Sequence, residues 1–175
     1  MYNPHVNRSK VLLSKLWKLI PTALRWRAMW AVSPRFIVGV AGIVLNEQGE
    51  VLLAHHVYRG KNAWGPPGGI VHYREGLCEA LYREILEETC LHVEVGPLLQ
   101  VGTGERWPHV TFQFLCTVEG APQPRVSGEL FEAGFYPPDA LPCTLEPVQA
   151  SALEYALKLY ARPEQPAATR IVEAE

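Results

Sequence analysis

The sequence lacks several features that would place the chain in a membrane or secretory class. None of its apolar runs reaches the roughly 18 residues needed to cross a bilayer, so we expect no integral membrane protein. The N-terminus has no uninterrupted apolar core followed by a small-residue cleavage site, as a secretory signal would. The four cysteines form no C-x-x-C pair, so we expect buried thiols in a reducing cytoplasm rather than disulfides or metal ligands.

Acidic residues are missing from the beginning of the chain. Residues 1–46 contain seven Lys or Arg and no Asp or Glu, whereas the remaining residues contain nine basic and eighteen acidic side chains. The formal net charge of −2 hides this asymmetry. We therefore expect the two parts of the chain to have different functions.

The length and composition are those of one globular domain with an extension. The chain has 175 residues, of which 48% are hydrophobic and 19% charged, which is too short for two ordinary domains. We divide it into a basic helical arm at residues 1–33, a domain at residues 34–162 and a flexible tail at residues 163–175. The tail is expected to be loose because it has two prolines and little apolar content.

The arm shows helical periodicity between Ser9 and Trp30, with lysines between the apolar positions and a break at Pro21. One interpretation is a helical arm that packs on its own domain or on a second copy in a homodimer. Another is peripheral membrane contact by residues 9–30, because basic residues and tryptophans beside an apolar face suit anionic headgroups. A third is disorder.

Residues 34–162 alternate between strand and helix patterns. Residues 36–45 and 51–56 predict a hairpin, and the proline- and glycine-rich residues 64–69 predict an irregular loop. A helix follows, with Leu77, Leu81 and Ile85 as its buried stripe. Residues 91–101 and 110–118 predict strands, 135–142 an irregular connection, and 147–161 a closing helix with Pro147 at its start. The interleaving indicates an α/β fold.

Three carboxylates crowd one turn of the predicted helix after the loop. Glu84, Glu87 and Glu88 have the spacing i, i+3 and i+4, at which like charges repel by a few tenths of a kcal/mol per pair. A bound cation would remove that cost. All-oxygen ligand sets select hard cations such as Mg²⁺ or Mn²⁺.

The residues around this turn resemble a known motif. Gly69 is followed after five residues by Glu75 and after seven more by the run Arg83-Glu84-Ile-Leu-Glu87-Glu88-Thr-Cys90-Leu. This pattern resembles the Nudix box, G-x5-E-x7-R-E-U-x-E-E-x-G-U with U aliphatic, and departs from it only at Cys90. The chain is identified on these residues as a member of the Nudix (MutT-like) hydrolase family, whose likeness covers about residues 35–160.

The resemblance implies a Nudix fold, with a mixed β-sheet sandwiched between α-helices, here carrying an N-terminal helical extension. It implies a metal-dependent hydrolase that cleaves the diphosphate linkage of a nucleoside diphosphate derivative, such as ADP-ribose, a nucleotide sugar or a nucleoside triphosphate. By position, Glu84, Glu87, Glu88 and the Gly68 carbonyl would hold Mg²⁺ or Mn²⁺, and Arg83 would orient a box glutamate.

The general base and the substrate contacts each have several candidate residues. The general base is Glu84, or Glu129 or Glu132 on a segment after the box. Candidate substrate contacts are Arg59, whose guanidinium suits phosphate oxygens, Trp64, whose ring could stack on a base, and Gly69. His55 and His56 are interpreted as ordinary sheet residues.

Two alternatives share the fold. A non-catalytic ligand sensor or interaction module would explain the altered box residue Cys90, and an isomerase would leave the diphosphate intact. Specific nucleic-acid binding is not expected, because the domain is acidic and no known module is visible. Cys90 stands where glycine often adopts a positive φ, so we expect it to cost stability rather than activity.

Overall fold

The computed structural model describes residues 8–57, 63–103, 108–126, 128–161 and 170–172. These divide into two compact units, within residues 1–35 and 36–175. The first unit contains the helices α1 (Arg8–Leu19) and α2 (Thr22–Val32). Pro21 lies between them as the residue that caps α2, which agrees with the predicted break.

The described residues of the second unit form eight strands and two helices. They run in the order β1 (Ile37–Leu45), β2 (Val51–His56), β3 (Trp64–Gly65), β4 (Gly68–Ile70), α3 (Leu77–Thr89), β5 (Glu94–Thr103), β6 (His109–Thr117), β7 (Leu130–Tyr136), α4 (Pro147–Tyr160) and β8 (Arg170–Val172). The strands form one sheet in the order β3-β2-β1-β6-β5-β8, with β4 paired to β1 and β7 paired to β2. The β1–β6 and β5–β8 pairs are parallel and the others are antiparallel, so the sheet is mixed.

Strand alternation places one helix on each face of the sheet. On β1, Val40 and Val44 point to a core cluster that contains Leu81 and Ile85 of α3. Their neighbour Ile43 points to a second cluster that contains residues of α4. Because side chains alternate with a period of two, the same strands supply both cores. The predicted sandwich of a mixed sheet between helices is therefore confirmed.

The hairpin and the helix after the glycine-rich segment also agree with the prediction. β1 and β2 pair antiparallel around a turn in which the Asn46 side chain accepts hydrogen bonds from the backbone amides of Gln48 and Glu50. Gly49 has a φ of 75°, which glycine adopts without strain. Leu81 and Ile85 are fully buried, as the stripe on the helix requires.

Four strands were not predicted. The segment expected to be an irregular loop forms β3 and β4, because β2 and β1 offer backbone partners to the residues on either side of Pro66 and Pro67. β7 occupies Leu130–Tyr136, for which the sequence predicts either no element or an irregular connection. In the tail, Arg170–Val172 pairs parallel with Gln100–Gly102 of β5, so the expectation of a loose tail is wrong for these three residues.

Within the part of the chain that the structure describes, no helix combines the length and the apolar content that crossing a membrane requires.

Candidate active site

The carboxylates of α3 face a cleft of about 620 Å³ beside the sheet. Because Ala80, Leu81 and Ile85 are buried against the strands, the remaining faces of α3 point to solvent or to this cleft. The cleft is lined by residues of β2, β4 and α3, of the loop between β4 and α3, and of the turn before β7, namely His56, Gly68, Gly69, Ile70, His72, Arg83, Glu84, Glu87, Glu88, Gly128 and Glu129. The fold thus brings together all the metal ligands that the sequence predicted.

Arg83 pairs with three carboxylates: Glu75, which precedes α3, and Glu84 and Glu87 on α3 itself. Its Nε donates to Glu75 Oε1 at 2.7 Å and its Nη2 to Glu75 Oε2 at 3.0 Å, which is a bidentate pair. Its Nη1 donates to Glu84 Oε1 at 2.9 Å. The hydrogen bonds from Arg83, followed by the one from the His72 backbone amide, hold the pKa of Glu75 at about 2, and Glu75 in turn raises the pKa of Arg83. Arg83 therefore stays charged and fixes the position of the Glu84 carboxylate.

Glu88 is the most buried of the three carboxylates, with 6% of the residue exposed. Its Oε2 accepts a hydrogen bond from the Gly68 backbone amide at 3.0 Å. Its Oε1 lies 3.5 Å from Nδ1 of His56, which is also buried. A buried carboxylate needs such partners, because desolvating an ionised group without them is costly. Glu88 is therefore tied to both β4 and β2.

The two glycines of β4 let the backbone approach the helix and the sheet. Gly68 has a φ of 150°, and a Cβ there would collide with the Val40 carbonyl oxygen. A Cβ on Gly69 would overlap the Glu84 carboxylate. Glycine is thus required at Gly68 by both conformation and space, while Gly69 leaves room for Glu84.

The donor set fits a hard cation in its chemistry. Glu84, Glu87 and Glu88 together with the Gly68 carbonyl offer only oxygen atoms, which Mg²⁺ and Mn²⁺ prefer. Among the residues that the structure describes, no three His, Cys, Asp or Glu side chains are already gathered around one point. Glu84 instead contacts Arg83, Glu88 contacts Gly68, and the Glu87 side chain is 61% exposed. Binding a cation would therefore require these side chains to change rotamer.

Of the other predicted site residues, some line the cleft and others lie elsewhere. Glu129 lines the cleft, whereas Glu132 on β7 pairs with His55 and accepts a hydrogen bond from Tyr136 on the opposite face of the sheet. Trp64 is not brought to the cleft, because its ring stacks on His55 with centroids 4.9 Å apart and packs against the α4 core. Arg59 lies outside the described residues.

His56 lines the cleft although we interpreted it as an ordinary sheet residue. Leu52, Ala54 and His56 share one face of β2, and Leu52 belongs to the α3 core. The hairpin register, once known, therefore assigns His56 to the carboxylate side. The sequence offered that signal only through the alternation of the strand.

Cys90 has the conformation that the glycine of the box pattern would suit. It caps α3 with φ 57° and ψ 22°, in the left-handed region, and its backbone amide donates to Leu86. It is exposed, and it does not line the cleft. The substitution therefore alters the end of the helix and leaves the described cleft residues in place.

Comparison with known proteins agrees with this arrangement. The family model of the NUDIX domain matches residues 35–157. The chain belongs to the Nudix family. The match covers the sheet from β1 to β7 and most of α4, and it begins at the boundary between the two units.

Two curated relatives of this Nudix domain show how far the likeness extends. A human protein named 8-oxo-dGDP phosphatase NUDT18 is 34% identical over 133 residues, which are 73% of this chain and 40% of that protein. A MutT-like protein of Streptomyces ambofaciens is 32% identical over 124 residues, which are 71% of this chain and 79% of that protein. The chain thus spans less than half of the human relative.

A solved structure supports the fold independently. A Nudix hydrolase from Nitrosomonas europaea superposes with a TM-score of 0.67 at 21% identity, covering 81% of each chain. At this identity the likeness establishes the Nudix fold alone.

Proposed function

We propose that the chain is a Mg²⁺- or Mn²⁺-dependent hydrolase that cleaves the diphosphate linkage of a nucleoside diphosphate derivative. One observation carries the proposal: Glu84, Glu87, Glu88 and Gly68 line a single cleft in which Arg83 is clamped by Glu75 and Glu84. A module that only bound a partner would not need this arrangement of three carboxylates around one arginine.

The cleft residues have different roles in the proposed phosphoryl transfer. Glu84, Glu87, Glu88 and the Gly68 carbonyl would hold the cation. When bound, the cation supplies charge stabilisation for the phosphoryl oxygens and lowers the pKa of a coordinated water. Arg83 orients Glu84 through the Nη1 hydrogen bond, while Gly68 and His56 hold Glu88 in place from the sheet.

A general base must take the proton of the attacking water. Glu84 and Glu129 both line the cleft, whereas Glu132 lies on the other face of the sheet. Glu84 already accepts a hydrogen bond from Arg83, which holds its carboxylate in the cleft beside the other proposed ligands. We therefore assign the proton transfer to Glu129 and the ligand role to Glu84.

The substrate is a small nucleotide derivative. The printed name of the human relative adds an oxidised deoxynucleoside diphosphate to ADP-ribose, nucleotide sugars and nucleoside triphosphates as candidates. We place the reaction in the cytoplasm, where such nucleotides and the free thiols of the described chain are both expected. A homodimer through the arm stays a prediction.

A substrate panel tests the proposal. The full chain is incubated with each candidate class and with Mg²⁺ or Mn²⁺, and release of phosphate or phosphomonoester is measured before and after EDTA. We expect turnover on at least one class and its loss on chelation. Products that keep the diphosphate intact would indicate an isomerase instead.

A matched pair of variants separates binding from catalysis. Glu129→Gln should lower kcat by about 10²-fold or more, while Mn²⁺ binding is retained. Glu132→Gln, on the opposite face of the sheet, is the control and should change neither. If no substrate is turned over and Glu88→Gln binds Mn²⁺ as well as the wild type does, the chain is a ligand sensor rather than an enzyme.

A further inference from the structure

The N-terminal unit combines positive charge with exposed apolar side chains. Residues 1–35 contain seven Lys or Arg and no Asp or Glu. Nine of the sixteen large apolar side chains that are exposed in the described part of the chain lie between Leu16 and Val32. Such a density of exposed apolar surface marks a site of interaction rather than an ordinary solvated helix.

α2 has no face suited to water. Only Thr22, Arg25 and Arg27 of its eleven residues are polar, and none of the eleven is buried. Trp26 and Trp30 lie one turn apart on the same side and are 65% and 66% exposed. A helix that is apolar almost all round is normally covered by protein or lipid.

The second half of α1 continues the same surface chemistry. Leu16, Trp17 and Leu19 are exposed, with Lys15 and Lys18 beside them. Pro21 separates the two helices, so each is too short to cross a bilayer. α1, whose apolar residues recur at helical spacing with lysines between them, has the amphipathic pattern of a helix that lies in the plane of a membrane surface.

The residue types match the membrane interface. Tryptophan is enriched at the level of the lipid headgroups, because its ring is apolar and its indole N–H is polar. Arginine can lay its aliphatic stem along apolar surface while the guanidinium reaches outward. Arg35 already lies over the Trp30 ring at 4.2 Å, which brings a positive charge to the tryptophan face of α2.

We propose that α1 and α2 form a peripheral membrane anchor that binds an anionic lipid surface. The observation that selects lipid is the charge: a segment whose sequence contains seven Lys or Arg and no Asp or Glu is complementary to anionic headgroups. Pairing of two arms in a dimer would instead bring like charges together. The anchor is independent of the reaction proposed for the Nudix domain.

Vesicle co-sedimentation of the full chain tests the anchor. The vesicles are phosphatidylcholine alone and an equal mixture of phosphatidylcholine and phosphatidylglycerol. We expect partition into the anionic vesicles, weak partition into the neutral ones, and weaker anionic binding at about 1 M NaCl, where the Debye length falls to about 3 Å.

Two double variants identify the residues that carry the binding. Arg25→Ala with Arg27→Ala should lower the partition coefficient roughly 30-fold, because each basic residue near the surface contributes about a factor of five. Trp26→Ser with Trp30→Ser should lower it by at least tenfold. Phe131→Ser with Arg125→Ala, in the other unit, is the matched control and should leave it unchanged, since Phe131 is also 66% exposed.

The oligomeric state of the same variants provides the opposing outcome. If the full chain does not sediment with anionic vesicles, or if binding survives loss of both tryptophans, the proposal is overturned. It is also overturned if light scattering shows a dimer that Trp26→Ser with Trp30→Ser dissociates while vesicle binding is unchanged, because the apolar surface then belongs to a second copy.

Discussion

The two faces of the central sheet carry different chemistry although the same strands build both. His56 faces α3, where it meets Glu88 in the carboxylate cleft. His55, one residue earlier, faces the other way and stacks on Trp64. A single step of the pleat therefore decides whether a polar side chain lines the carboxylate cleft or belongs to a packing cluster.

The aromatic cluster on the α4 face is built for packing. Trp64 meets Tyr136 edge to face with centroids 5.7 Å apart, and Tyr136 donates a hydrogen bond to Glu132. Burial, first of all, raises the pKa of Tyr136. In this cluster the residues contact one another, whereas in the cleft the carboxylates line an open space of about 620 Å³.

Exchanging one carboxylate on each face should produce the largest contrast. We expect Glu88→Gln to lower kcat/KM by about 10³-fold, because a charge-stabilising metal ligand contributes several kcal/mol. Glu132→Gln should stay within a factor of two of the wild type. Steady-state kinetics and Mn²⁺ titration check both, and equal losses in the two variants would remove the distinction between the faces.

The next contrast concerns the backbone of the cleft. Gly68→Ala should lower the free energy of unfolding by about 3 kcal/mol, because it combines a glycine-only φ with a collision against the Val40 carbonyl. Gly128→Ala is the control, since a Cβ there meets nothing within 4 Å. Urea unfolding measures both. A Gly68→Ala variant as stable as Gly128→Ala would show that β4 moves away from β1 at little cost.

On the α4 face, Trp64→Ala should cost stability and spare catalysis. We expect a loss of about 2 kcal/mol, less than for a fully buried aromatic residue because Trp64 is half-buried, and a kcat/KM within a factor of three. Thermal unfolding and kinetics on the same preparation check this. A selective rise in KM would instead indicate that Trp64 contacts the substrate, as the sequence predicts.

At the far end of α3, Cys90→Gly should stabilise the domain slightly. Glycine removes the strain of a left-handed residue, so we expect a gain of about 0.5–1 kcal/mol with unchanged turnover. Cys78→Gly, inside the same helix, is the control and should destabilise it. A large gain in activity in Cys90→Gly would show that the end of α3 controls the carboxylates.

The smallest effect should come from the pH dependence of the Arg83–Glu75 pair. Because the folded pKa of Glu75 lies near 2 and the ordinary value is 4.5, the contribution of this pair is fully present above pH 4.5 and is lost as the pH falls toward 2. Arg83→Ala should flatten the unfolding free energy over that interval. An unchanged slope would mean that Arg83 does not set the Glu75 pKa.

The sequence predicted the parts of this fold that depend on local pattern. The box helix and the first hairpin follow from apolar periodicity and from turn residues such as Asn46 and Gly49. The Nudix motif also predicts that Glu84, Glu87 and Glu88 lie close together, and all three line one cleft in the structure. Local spacing was sufficient there because one helix carries all three.

The missed features depend on partners that are distant in the sequence. β3 and β4 exist because β2 and β1 pair with residues whose own composition predicts a loop. β7 ends just before Pro137, and its Gly134 weakens any strand pattern, so its pairing with β2 was not visible. For the same reason, the sequence did not show that His56 lines the cleft or that Trp64 packs on the α4 face. Only the strand register shows which face of the sheet each residue joins.

The parallel pairing of β1 with β6 also bears on how the molecule folds. Its rungs join Ile37 to His109 and Leu45 to Thr117, so most of the cleft residues lie on the loop that this pairing closes. Closure of so long a loop is slow relative to hairpin or helix formation. During synthesis the carboxylate helix therefore emerges from the ribosome well before the strand that completes its floor, and the cleft is assembled only after β6 has been translated.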